Sequence, residues 1–166
     1  MDENGSHHAA QPVRVRAADS SEAEMIAAVI RAAFATVAEA IGVDIPPLHE
    51  TADDVRATLA AGDTALVAVV DGIVVGTVRG ETIPSGGVMV RRLAVLPSHR
   101  GHGVAHALMR ALEDAYPDAQ RFELFTGAMA EGPIALYESL GYKLIEPRED
   151  MGFPLVWYEK CREDAS

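Results

Sequence analysis

The chain has 166 residues, 49% hydrophobic and 23% charged, a balance that suits one globular domain with a buried core and excludes a chain dominated by disorder. Its formal charge of −11 argues against a nucleic-acid partner, because binding a phosphate backbone needs a basic surface, and favours a cationic small molecule or peptide. No run of about 18 apolar residues occurs and Met1–Ala10 is polar, so neither a membrane span nor a secretory signal is expected, and a cytoplasmic location is. The single cysteine, Cys161, excludes an internal disulfide and a cysteine-based metal cluster, so no metal is expected.

Residues 1–12, with Gly5-Ser6-His7-His8, read as a disordered tail or an expression remnant; one domain is expected over 13–160, and 161–166 as a closing tail. Val13–Ala17 alternates as a first strand. Ser21 with Glu24 reads as a capping box ahead of an amphipathic helix through Met25, Ile26, Val29, Ile30, Ala33, Phe34 and Val37. After a loop with Pro46-Pro47-Leu48-His49-Glu50, Thr51 caps a second helix that presents Val55, Thr58 and Leu59 and stops at Gly62. Thr64–Val70 and Ile73–Val78 form a hairpin around Asp71-Gly72, and Pro84–Gly87 reverses the chain into a strand over Val88–Leu96. A helix over Arg100–Ala115 presents Ala105, Leu108, Met109 and Leu112 and is stopped by Pro117. Phe122–Phe125 is a short strand, Pro133–Leu140 a helix closed by Gly141, and Tyr142–Ile145 and Leu155–Glu159 are the last strands. The order β-α-α-β-β-β-α-β-α-β-β gives an α/β (α+β) domain: a mixed, mostly antiparallel sheet with helices on both faces, its strand–helix–strand units parallel and its hairpins antiparallel.

The most informative stretch runs from Arg92 to Ala105, where a strand ends, a short turn follows and glycines open a helix. The first amides of a helix lack intrahelical partners and the dipole adds partial positive charge, so an anion binds there if no side chain blocks it; the same two glycines would also serve a plain strand-to-helix turn. No Gly-Lys-Ser/Thr ending follows, which excludes a P-loop, and His106 stands where a dinucleotide fingerprint needs its last Gly or Ala.

Arg100-x-x-Gly103-x-Ala105, preceded by Leu93-Ala94-Val95-x-Pro97, resembles the acetyl-coenzyme A signature of the Gcn5-related N-acetyltransferase (GNAT) superfamily. The resemblance spans Val13 to Lys160 and implies that the coenzyme pyrophosphate sits on the amides of Arg100, Gly101, His102, Gly103, Val104 and Ala105. It further implies that Leu93, Ala94 and Val95 pair with the pantetheine arm and polarise the thioester carbonyl. Pro133–Tyr142 resembles the family's later motif, which places Tyr137 as the general acid beside the thiol, although periodicity alone would make Tyr137 a core residue. Where many relatives carry an Asn near the start of this helix, this chain has Ala130, Glu131 and Pro133.

The implied function is an N-acetyltransferase that moves acetyl from acetyl-CoA to a primary amine of a small molecule or peptide by direct attack. A non-catalytic acyl-CoA or metabolite sensor of the same fold is the alternative. The strand before the signature, Val88-Met89-Val90-Arg91-Arg92, lacks the acid that many relatives use as a base. Glu123 ranks first among the substitutes, ahead of Glu81, Glu50 and His49. His102 and His106 are four apart on a helix but lack a third metal ligand. The loops around Ile45–Glu50 and Glu146–Gly152 are expected to shape an acceptor pocket, their acidic residues suiting a cationic amine. Family members are often dimers, so a homodimer is one expectation.

Overall fold

The computed structural model describes residues 12–127, 131–150 and 153–162. The strands are β1 (Arg14–Ala17), β2 (Thr64–Val70), β3 (Ile73–Thr82), β4 (Val88–Val95), β5 (Arg121–Gly127), β6 (Lys143–Asp150) and β7 (Phe153–Cys161). The helices are α1 (Ala23–Ile41), α2 (Ala52–Ala60), α3 (Val104–Ala115) and α4 (Glu131–Ser139). Within the described residues the strands form one sheet in the order β1-β2-β3-β4-β5-β7-β6.

Alternation along β2 explains the three layers. Leu66, Ala68 and Val70 pack with Leu108, Met109 and Leu112 of α3, whereas Val67 joins Ile26, Ala27, Ile30 and Ala33 of α1 and Val55 of α2 on the opposite face. Full burial of Leu108, Met109 and Leu112 stabilises the α3 layer by about 2 kcal/mol per side chain. Gly76 lets α3 approach β3 closely, since a Cβ there would lie 3.0 Å from both Leu108 and Val104 side chains.

The strand–helix–strand units are not all parallel. β1 pairs antiparallel with β2 because two helices, α1 and α2, intervene and reverse the chain once more. β7 lies between β5 and β6, so β4 with β5 is the sheet's parallel pair. The first capping box also sits earlier than expected. A 3₁₀ turn at Ser20–Glu22 precedes α1, so Asp19 accepts from the Ser21 N–H (2.9 Å) and Glu22 accepts from the Asp19 N–H (2.9 Å). Thr51 caps α2 as expected, with Asp54 as its reciprocal partner. Asp71 and Gly72 take left-handed angles (φ 51° and 77°) between paired Val70 and Ile73, the geometry of a two-residue hairpin turn.

Several elements differ at their ends. α3 begins at Val104, after a 3₁₀ turn at Pro97–His99, because Gly101 and Gly103 are left-handed and end any helical path through them. At the other end, β7 reaches Cys161, and Arg162 donates to the carbonyls of Glu113, Tyr116, Pro117 and Ala119 behind α3. Residues 1–11, Ala130, 151–152 and 163–166 lie outside the described residues.

Candidate active site

The parallel pairing of β4 and β5 is confined to Val88↔Phe122 and Met89↔Glu123. Beyond it the two strands part, and a cavity of about 860 Å³ opens between Val90–Val95 and Leu124–Gly127. A bulge in β4 accompanies the parting: Thr77 pairs with Ala94 and Arg79 with Arg91, so Arg92 and Leu93 together oppose Val78. Arg92 takes a left-handed backbone angle (φ 54°) within this bulge. Two consecutive arginines after Val88-Met89-Val90 are the sequence mark of this irregularity, and the alternation pattern gave it no weight.

One end of the cavity is the turn into α3. Gly103, at φ 79°, is the N-cap of the helix, and no side chain caps it. The first intrahelical bond runs from the Ala107 N–H to the Gly103 carbonyl (3.0 Å), which leaves the amides of Val104, Ala105 and His106 as the helix's unpaired donors. A Cβ built on Gly101 or Gly103 meets no atom within 4 Å, so what these positions demand of glycine is the positive φ itself. Arg100 fixes the turn from behind by donating from Nη2 to the Ala33 carbonyl of α1 (2.9 Å). Gly101, Gly103, Val104, Ala105 and His106 line the cavity, as do Leu93, Ala94 and Val95 on the β4 edge that β5 leaves unpaired. His102 is exposed and absent from that lining.

α4 closes a second wall with Pro133, Leu136 and Tyr137. Tyr137 is 8% exposed, and its ring lies near Tyr142 and Tyr158 (centroids 6.1 and 6.4 Å). Burial pushes its hydroxyl pKa up to about 12, so it holds its proton through the neutral range. α4 ends where Gly141 (φ 91°) turns left-handed and the Tyr142 N–H closes back on the Tyr137 carbonyl (3.0 Å), which fixes the last turn that carries Tyr137.

The carboxylates named from sequence do not gather at the cavity. Glu123 sits 3.1 Å from the Arg121 guanidinium and does not line it. Glu81 accepts from Arg91 (2.7 Å), and His49 lies on Asp44 (2.7 Å). Glu50 is 4% exposed: it pairs with Arg79 and with Arg92 Nε (3.4 Å), while Arg31 donates to its carbonyl (2.6 Å). This buried carboxylate fastens the loop before α2 to the bulge of β4. His106 meets Ser139 Oγ (3.1 Å), and no group of three or more metal-ligating side chains occurs among the described residues. No helix among them is long and apolar enough to cross a membrane.

The sequence profile of the acetyltransferase (GNAT) domain matches residues 61–144. A mouse protein, "Probable N-acetyltransferase family 8 member 5" (Mus musculus), is 35% identical over 104 residues, 57% of this chain and 44% of its own length, so the chain spans less than half of that curated relative. Among solved structures, the PaiA N-acetyltransferase of Thermoplasma acidophilum in complex with coenzyme A superposes with a TM-score of 0.76 at 13% identity, covering 91% of this chain and 99% of that one. YncA from Salmonella typhimurium, solved with its cofactor acetyl-CoA, superposes with a TM-score of 0.69 at 18% identity, covering 93% and 96%.

Proposed function

The chain belongs to the GNAT acetyltransferase family, and from that premise we propose that it moves acetyl from acetyl-CoA to a primary amine by direct attack. One observation carries this reading: the uncapped N-terminus of α3, the unpaired edge of β4 and the protonated Tyr137 all face one cavity. The Arg100–Ala105 turn would hold the coenzyme's pyrophosphate through the Val104, Ala105 and His106 amides, which face little competition from side chains. The β4 edge at Leu93, Ala94 and Val95 would take the pantetheine arm as a further strand and offer amides to the acyl oxygen.

When bound, acetyl-CoA supplies an activated acyl group: the amine nitrogen bonds to its carbonyl carbon, the carbon–sulfur bond breaks, and the electron pair leaves on sulfur. Tyr137 holds at its Oη the proton that the departing thiolate takes. The amine's surplus proton passes to water and solvent returns a proton to the Tyr137 oxygen, which closes the cycle; Glu123 serves only through such water, because its carboxylate lies against Arg121 and off the cavity lining. Retention of the tyrosine beside the cradle favours turnover over sensing, since a sensor needs no acid for a thiolate.

Calorimetric titration with acetyl-CoA, ATP and NAD tests the reading. Saturable binding of acetyl-CoA alone is expected; equal affinity for ATP would reduce the cradle to a general phosphate site.

A further inference from the structure

We propose that the acceptor amine carries a carboxylate beside an apolar side chain, as an apolar α-amino acid does, and that Arg92 binds that carboxylate. This rests on the acetyl-transfer reading and reverses the cationic acceptor that net charge suggested. In a chain of formal charge −11, the charged residues lining the cavity are Arg91, Arg92 and Arg100, beside the imidazoles of His99 and His106, with no carboxylate among the described lining residues. Among the described lining residues a cationic acceptor would meet no counter-charge.

Arg92 is placed to read an anion. Arg100 stands at the α3 turn and donates to the Ala33 carbonyl, and Arg91, 43% exposed, holds Glu81 closely at 2.7 Å, whereas Arg92 is the more buried and lies beside the Glu50 loop. Its side chain is 26% exposed and meets Glu50 through Nε alone, at 3.4 Å. No protein acceptor is placed on its two Nη atoms among the described residues. Two guanidinium groups, Arg79 and Arg92, share the Glu50 carboxylate, and the Asp54 carboxylate feels both from the start of α2, so Arg92 is held charged in a half-buried setting with its two Nη atoms still open. A planar fork with open donors matches a carboxylate in bidentate geometry. Arg92 takes its left-handed backbone angle (φ 54°) within the bulge, where the register with β3 holds it at the cavity.

The wall facing Arg92 sets the rest of the acceptor. Phe34, Val37 and Ile41 of α1, with Ile45 and Pro47 of the following loop, present apolar surface and no charged group to the cavity. An apolar side chain matches that surface, whereas the charges of a polyamine find no partner among these residues.

The test compares phenylalanine, phenylalanine amide, phenethylamine and spermidine as acceptors, with thiol release as readout and acetyl-CoA affinity titrated in parallel. The acid is expected to exceed its amide and the decarboxylated amine by at least about 10-fold in kcat/KM, the effect of losing a charged hydrogen-bonded pair. Arg92→Met is expected to erase that preference through KM, and Arg92→Lys, which keeps the charge beside Glu50, to restore part of it, both with unchanged acetyl-CoA affinity. Equal use of acid and amide, preference for spermidine, or no turnover of the acid while acetyl-CoA binds would overturn the proposal. Loss of acetyl-CoA binding in the wild type would instead overturn the acetyl-transfer reading. Should the variants fail to fold, the wild-type preference decides alone.

Discussion

Glu50 and Arg92 lie 42 positions apart in sequence and meet with Oε2 3.4 Å from Nε, joining the loop before α2 to the bulge that opens the sheet. The same carboxylate also holds Arg79. Replacing it removes the shared counter-charge of two half-buried guanidinium groups, so Glu50→Gln is expected to cost about 3 kcal/mol of stability. Urea unfolding measures it. A change below about 0.5 kcal/mol would mark the contact as a weak surface pair instead.

Gly103 stands at φ 79° and opens α3 without a side-chain cap. Gly103→Val places a β-branched residue in a left-handed conformation, costing about 1–2 kcal/mol, and projects its side chain from the turn proposed to hold the pyrophosphate into open space. Loss of measurable acetyl-CoA binding with a lowered melting temperature is expected. Gly103→Asn should recover most of the stability, since asparagine tolerates this conformation, while affinity stays reduced. Wild-type affinity in either variant would place the cradle elsewhere.

Packing by the Tyr137 ring and the proposed proton transfer from its Oη use different atoms, and Tyr137→Phe separates them. The ring and its contacts with Tyr142 and Tyr158 persist while the proton at Oη is lost. A fall of about 10²-fold in kcat with unchanged acetyl-CoA affinity is expected. An unchanged kcat would leave Tyr137 a core residue.

The burial that keeps Tyr137 protonated also predicts a pH dependence of folding. Its pKa is raised to about 12 in the native state against 10.0 for the free side chain. Between those values the unfolded chain gives up the proton and the native chain keeps it, so stability falls as pH rises through that window. The loss reaches about 3 kcal/mol for a two-unit shift. Unfolding curves from pH 9 to 12 (a span of about three units) should fall less steeply for Tyr137→Phe than for the wild type, and parallel slopes would contradict the assignment.

Local chemistry made much of the fold legible. The Asp71-Gly72 turn, the Thr51 cap, the apolar face of α3 and the glycines before it are each decided by neighbours within a few residues, and the structure has them where those neighbours put them. What escaped depends on partners distant in sequence. The antiparallel pairing of β1 with β2 follows from how two helices return the chain, and the insertion of β7 beside β5 from packing that no local pattern encodes. The bulge at Arg92 needs the register with β3, and the pairing of Glu50, a candidate base by sequence, with Arg79 and Arg92 needs contacts 29 and 42 positions away. The uncapped turn into α3 was legible because it is one continuous stretch, and so was the loop from Ile45 as a cavity wall, whereas Phe34, Val37 and Ile41 of α1 join that wall only once the chain has folded.

The most direct measurement of the central claim is product stoichiometry: wild-type protein is incubated with acetyl-CoA and an apolar amino acid, and free thiol and N-acetylated amine are quantified together. The account predicts equal amounts of the two, both dependent on the protein and both sharply reduced in Tyr137→Phe. Thiol release without N-acetylated product, or neither product despite saturable acetyl-CoA binding, would contradict it.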